Sequence, residues 1–482
     1  MRPAFTLAVV LSWLVMVGLL VRREVFPPAL PEAPLPAGEP AEHDEWFTVS
    51  RDGRQVGHAH RVTSRTGDGQ EFSEDLVLAF AMLGVPQRIA TGLEAETDAQ
   101  GALRRFRFTL VSPAATFTAA GTTDGRTLHV TYGPQGQTKD ADLPLAEPIQ
   151  LPSTVRPRVV AGDVRPGARW TVPVLNPLTL RSDALVTTVE ARETVPGPDG
   201  PVEAIRIAEE QQGVRTHAWL APDGTVLRED GALGFTLERT SRERAIADDA
   251  SLAPVDLVAA SRIPLDGRID HPRTAARLAL RVSGAAAGTI PDDPPRQRVD
   301  HGLVRIERET VPETAPLGPR DASLASYLAP APFIESDDPA IVATAREVVG
   351  TERNATAAAR ALVDWVNAAV RKAPTVTMPS AREVLAARRG DCNEHAVLLT
   401  ALARAAGIPA RLAAGVMYVE GGFYYHAWTE VWLGRWVSAD AVFRQLPADA
   451  THVKLVEGGP EQQAALAASV GGLAFAAEEV AR

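Results

Sequence analysis

The hydrophobic pattern changes character twice along the chain. At the start it has no period: Ala4 to Val21 is an apolar run of 18 residues broken only by Thr6, Ser12 and Gly18. As a helix it would span about 27 Å, close to the hydrocarbon thickness of a bilayer. Arg2 precedes it, Arg22 and Arg23 follow it, and no small-x-small cleavage signature lies near Val21. The reading is a retained transmembrane anchor over residues 1–23 rather than a removed signal. Basic residues are nearly balanced across the run, and short N-terminal tails usually stay inside. The expectation is a single-pass inner-membrane protein with its bulk in the periplasm or outside the cell, touching the membrane through this helix. Residues 24–43 follow as a linker, with prolines at 27, 28, 31, 34, 36 and 40 favouring extended polyproline II.

From Glu45 to about Ala245 apolar and polar residues alternate. The pattern predicts strands at Leu103–Leu110, Thr127–Tyr132, Val202–Ala208 and Thr216–Leu220. Asp-Gly pairs at 52–53, 124–125, 199–200 and 223–224 fall between such runs, a strong hairpin signal. Pro152, Pro157 and Pro166 suggest a division, giving β-rich domains over 44–160 and 161–315. Further strands are expected at Ala276–Val282 and Gly302–Arg308. His58 and His60 share one face of a strand, but two histidines without a third ligand read as half-solvated strand residues.

The last third turns helical. Asp337-Asp338-Pro339 opens a pattern running to Val349, with proline suited to a first turn. A second helix is expected at Thr356–Arg371, and a third at Ser380–Arg388 with a Ser-x-x-Glu start. Asp391 and Glu394 have capping-box spacing, so a fourth helix begins at Cys392 and ends at Gly407 before Ile408-Pro409. Phe423–Leu433 and Trp436–Asp440 alternate again. His426, Trp428, Glu430 and Trp432 share one face. With Trp432 opposite Trp436 and a three-residue loop or bulge between, His426 comes within reach of Asp440.

Composition narrows the chemistry. The net charge of -11 excludes neutralising a nucleic-acid backbone, so no nucleic-acid partner is expected. Lys139, Lys372 and Lys454 are the only lysines. The single cysteine, Cys392, rules out an intrachain disulfide and a multi-cysteine zinc site. Cysteines are usually small buried hydrophobes. This one starts a helix, where partial positive charge and unpaired N–H groups favour a thiolate and suit a carbonyl oxygen.

Several pieces occur in order: Ser380-Ala381 with Val384-Leu385, Gly390-Asp391-Cys392-Asn393-Glu394-His395-Ala396, Arg404-Ala405 with Gly407-Ile408-Pro409-Ala410-Arg411, His426-Ala427-Trp428 with Glu430-Val431, Trp436 to Asp440, and Asp449-Ala450-Thr451-His452 with Lys454-Leu455. Together they resemble the transglutaminase-like superfamily over about residues 320–460. Many members have proline beside the aspartate, where this chain has Ser438-Ala439-Asp440-Ala441. The resemblance implies an α+β fold with a papain-like core and a Cys-His-Asp triad, mapping onto Cys392, His426 and Asp440. It implies acyl transfer or hydrolysis at amide bonds of a protein or peptide substrate, with no cofactor and no metal. A different reading is an envelope scaffold whose fold no longer turns over. Trp428 and Trp432 are expected in the core, His395 in a structural or supporting role, His452 in a loop, and Glu430 as a polar sheet residue. Residues 461–482 are read as a C-terminal tail.

Overall fold

The computed structural model describes residues 43–481 except 83, 114–115, 137, 162–164, 198–199, 212–213, 232–233, 248–254, 257–261, 285–289, 319–320, 375–379 and 459–472. The chain is β-rich and divides into two compact units, one of residues 1–78, 89–111 and 115–253, the other of residues 79–88, 112–114 and 254–482.

Fourteen strands run from β1 (His43–Arg51) to β14 (Phe235–Thr240) in one sheet. One meander proceeds from β1 out to β8 (Lys139–Pro144), a second from β9 (Arg169–Asn176) back to β14, and β1 pairs with β14 to join them. The strands on either side of residues 150–168 therefore belong to one sheet. Asp-Gly turns do what their chemistry allows: Asp52 and Gly53 both take positive φ, at 49° and 73°, and Arg51 then pairs with Arg54. The three prolines lie around a helix, α1 (Pro152–Ala161), that alternation in the sequence does not reveal. Its buried face includes Thr154, Arg156 and Arg158 as well as Val155 and Val159, so it carries no clean apolar stripe.

Arg156 explains that mixed face. It reaches Glu209 at 2.9 Å and Glu229 at 2.6 Å, and Glu229 also pairs with Arg61, which in turn pairs with Glu74. Burial alone would raise the Glu229 carboxyl, but the two guanidiniums outweigh it and hold it well below the usual carboxylate range.

Among the described residues the second unit adds four α-helices: α3 (Pro339–Val349), α4 (Ala355–Ala369), α5 (Ala381–Ala387) and α6 (Cys392–Ala405), numbered after a short α2 (Arg242–Ile246) in the first unit. Each of the four has the cap its sequence supplies. Asp338 accepts from Ala340 N–H at 2.8 Å and Asn354 from Thr356 N–H at 3.0 Å, while α5 and α6 carry capping boxes. Residues Glu394 to Ala403 of α6 are all buried. Against it lies a sheet that includes β22 (Ala410–Val419), β23 (Gly422–Trp432), β24 (Trp436–Ala439) and β25 (Val453–Glu457). Residues 474–481, read from sequence as part of a tail, form a strand paired with Arg277–Ser283 inside the same sheet.

The expectation of an inner-membrane protein is not upheld. Among the described residues no helix is long and apolar enough to cross a membrane. The apolar run at residues 1–23 and the linker up to residue 42 lie outside the described residues.

Candidate active site

Cys392 stands at the first position of α6. Its position follows from the five residues around it. Asp391 is the N-cap, accepting from Asn393 N–H at 2.9 Å, and Glu394 folds back to accept from Asp391 N–H at 2.8 Å. Gly390 leaves room for that return: a Cβ there would lie 2.2 Å from Glu394 Cβ. His395, buried, donates from Nδ1 to the Asp391 carbonyl at 2.6 Å and ties the cap from below. Burial lowers the pKa of that ring.

The expectation that the helix start lowers the thiol pKa is overturned. Burial pushes the Cys392 thiol well up, the Asp391 carboxylate beside it adds to this, and the N–H of Ala427 works against them. The capping box also takes the N–H groups of Asn393 and Glu394, which are therefore not offered to a substrate oxygen. Cys392 itself is partly exposed and packs with Tyr425 against the helical core. Tyr425 donates from its hydroxyl to Asn393 Oδ1 at 2.9 Å.

β23 brings the histidine. Trp432 pairs with Trp436 and Thr429 with Ala439, so the connection is a three-residue loop with Gly434 at a φ of 84°, the register expected from the sequence. Just past β24, Asp440 is buried, with Oδ1 accepting from Val442 N–H at 2.7 Å and Phe443 N–H at 3.2 Å. Its Oδ2 accepts from His426 Nε2 at 2.8 Å. Burial would raise this carboxyl, but His426 and then His452 outweigh it and hold it well below the ordinary range. With Nε2–H committed to Asp440, the free lone pair of a neutral His426 is on Nδ1. The exposed edge of Phe443 lies against the His426 ring, with centroids 5.8 Å apart.

One residue read as a bystander, and a second given no role of its own, belong to the site. His452 is fully buried and gives Asp440 Oδ2 a second imidazole donor, at 3.0 Å. Asp449, three residues earlier, is also fully buried, and Arg273 pairs with it at 3.0 Å. The signal available in the sequence was the Asp-x-x-His spacing of 449 and 452, which holds one ring nitrogen against the aspartate. Glu430 is a polar sheet residue, as expected, and is buried between Arg411 at 2.7 Å and Lys454 at 2.8 Å. Trp428 is core, its ring near-parallel to His426 and edge-on to His452. In the first unit His60 stacks on Trp46 at 4.0 Å and bonds Asp44, a supported strand residue.

One group of three could offer metal-ligand atoms among the described residues: His426, Asp440 and His452, with those atoms within 4.8 Å of one another. In the arrangement present both imidazole nitrogens are directed at Asp440 Oδ2 rather than outward. The pattern is that of a proton network.

Residues 342–441 match the model of the transglutaminase-like superfamily, and the chain thus carries a transglutaminase-like domain. No curated protein matches the chain. Among solved structures, a candidate cysteine protease of Cytophaga hutchinsonii overlaps 46% of this chain and 84% of its own, at 21% identity and a TM-score of 0.29. A β-barrel-like protein of a domain of unknown function from Brucella abortus overlaps 41% and 94%, at 14% identity and a TM-score of 0.32. A candidate protease of Parabacteroides distasonis overlaps 68% and 64%, at 11% identity and a TM-score of 0.20.

Proposed function

We propose that this transglutaminase-like domain is a thiol enzyme that takes the acyl group of an amide onto Cys392, with His426 as proton carrier and Asp440 as the group that orients it. The observation that carries the reading is the buried bond from His426 Nε2–H to Asp440, on a strand whose next residue, Ala427, directs its N–H at the Cys392 sulfur. That bond commits one nitrogen of the imidazole and leaves the other for the thiol.

In this mechanism the thiol proton moves to Nδ1 of His426 while sulfur attacks the carbonyl carbon of a peptide or side-chain amide. The tetrahedral intermediate collapses, the leaving nitrogen takes the proton from His426, and a thioester remains on Cys392. Water then yields the acid, or an amine yields a new amide. Asp440 stabilises the imidazolium through both halves without itself taking the proton. A protein or peptide substrate is the class that supplies such an amide. With three lysines the chain itself is a sparse source of acceptor amines.

The test is direct. The full chain is incubated with a peptide amide library, with and without a primary amine such as putrescine, and the Cys392 peptide is inspected by mass spectrometry after acid quench. A mass increment on Cys392 matching an acyl group, absent in Cys392→Ser, supports the reading. Turnover that persists in Cys392→Ala would overturn it. Full rescue of a deletion strain by Cys392→Ala would instead favour a scaffold.

A further inference from the structure

His452 meets acceptors on both sides of its ring. Nε2 faces Asp440 Oδ2 at 3.0 Å, and Nδ1 faces the Asp449 carbonyl oxygen at 3.1 Å and its Oδ1 at 3.4 Å. A neutral imidazole carries one N–H and one lone pair. Here a lone pair on either nitrogen would point at oxygen: at a carboxylate on one side, at a carbonyl and a carboxylate on the other. The ring is fully buried, so bulk solvent does not relieve that repulsion, and only a ring protonated on both nitrogens satisfies both sides.

We infer that His452 is held as an imidazolium and acts as a positioning residue, filling Asp440 with positive charge so that Cys392 and His426 rest as thiol and neutral imidazole rather than as a preformed ion pair. The inference rests on Cys392 and His426 being the reacting pair. It deepens that reading by choosing between two resting states that the triad geometry alone leaves equivalent.

The surrounding charges support it. Arg273, Asp449, His452, Asp440 and His426 form a row of alternating sign up to the last member. Arg296 touches the His452 carbonyl oxygen at 3.4 Å but is itself paired with Glu309, and Lys454 is held by Glu430 and Asp293. Among the described residues Asp440 thus faces one cation before His426 gains a proton. The His426 and His452 ring centres are 5.4 Å apart. At that separation and an effective dielectric near 20, like charges on the two rings disfavour each other by roughly two pK units. Burial opposes the charge on His452, but its bonds to Asp440 and Asp449 outweigh burial and its pKa lies above the ordinary histidine value. The Cys392 thiol, pushed up by burial, agrees with a neutral resting pair. The proton then leaves sulfur only as it attacks the amide, passing to Nδ1 of His426 while Nε2–H stays on Asp440.

Two measurements on the full chain decide the matter. With ¹⁵N-labelled histidine, one ring should be doubly protonated at pH 7.5 and its signal should vanish in His452→Gln. A His452 ring that is neutral at that pH overturns the inference. Second, the rate of Cys392 alkylation by iodoacetamide is followed from pH 5 to 9 in the wild type, His452→Gln and Asp449→Asn. The first substitution keeps a donor toward Asp440 without the charge, and the second removes the anion that retains the second proton. Both variants should alkylate about 10- to 100-fold faster near pH 6.5, as the ion pair becomes more populated. Profiles that superimpose on the wild type, in proteins with intact melting, reduce His452 to packing and overturn the role. If His452→Gln fails to fold, the wild-type ring signal and Asp449→Asn still decide. The ring measurement needs no turnover, so its failure is distinct from failure of the Cys392 mechanism.

Discussion

Each unit buries a row of charged side chains, and the two rows end differently. In the first unit Glu74, Arg61, Glu229, Arg156 and Glu209 pair in sequence, with a carboxylate at both ends. In the second, Arg273, Asp449, His452, Asp440 and His426 alternate in the same way, but the last member is a titratable ring one residue from the N–H that meets the Cys392 sulfur. Buried charge by itself therefore does not mark a site in this molecule. A saturated row fixes strands and a helix to one another. A row that stops at a group able to change its protonation can pass that change on.

The comparison breaks most visibly at sulfur. Cys392→Ala should remove acyl-enzyme formation and turnover entirely, since no second cysteine exists to replace it; mass spectrometry of the quenched protein checks this. Asp440→Ala should cost on the order of a hundredfold to ten-thousandfold in kcat/KM with KM little changed, because it removes an orienting group and leaves the nucleophile. A loss below tenfold would place Asp440 outside the mechanism.

In the first unit the same kind of cut should act on stability instead. Arg156→Ala leaves Glu209 and Glu229 buried with less counter-charge and should cost about 3–5 kcal/mol. Hydrogen exchange should show the loss in that unit's strands, and the alkylation rate of Cys392 should keep its wild-type value. Both rows share one acid response. Glu229, Asp440 and Asp449 have folded pKa values depressed below the unfolded carboxylate value of about 4. Their contribution is present above that value and is lost as pH falls through the folded values, so chemical-denaturation midpoints should drop steeply below about pH 4.

The smallest effect sits at the start of α5. Burial pushes the Glu383 carboxyl up to about 7, with the Ser380 N–H opposing and Glu335 and Glu394 adding. A raised carboxyl favours the folded state below its unfolded pKa and loses that advantage as pH rises through the folded one. Glu383→Gln should flatten the stability profile between about pH 4.5 and 7, by a few degrees in Tm or less.

Local chemistry made the helix that carries Cys392 legible. Asp391 and Glu394 are three residues apart, and that spacing alone places Cys392 at a helix start. The register of β23 and β24 was readable because alternation put His426 and Trp432 on one face and the Trp432–Trp436 pairing carried Asp440 to it. For His452 the sequence offered only its spacing from Asp449; its bond to Asp440, 12 residues away across an irregular loop, is encoded by nothing periodic. Nor does the sequence distinguish a thiolate from a thiol at Cys392: the helix start argues one way, while the burial and Asp391 carboxylate that decide it arise from packing. Helix α1 escaped notice for a related reason, since three of its five buried residues are arginine or threonine.

The contact between Gly390 and Glu394 has a consequence for how this chain can change. A side chain at 390 collides with the root of Glu394, not with its flexible end. Replacing Gly390 first therefore evicts the group that caps Asp391, and with it the strut beneath Cys392. Only glycine at 394 removes the Cβ that is struck first, so only that replacement vacates the space and makes a side chain at 390 tolerable. The two positions have an order of substitution. A library that varies 390 alone should return glycine. One that varies both should recover larger residues at 390 only in clones that have already surrendered Glu394, so the path to those sequences runs through a weakened cap.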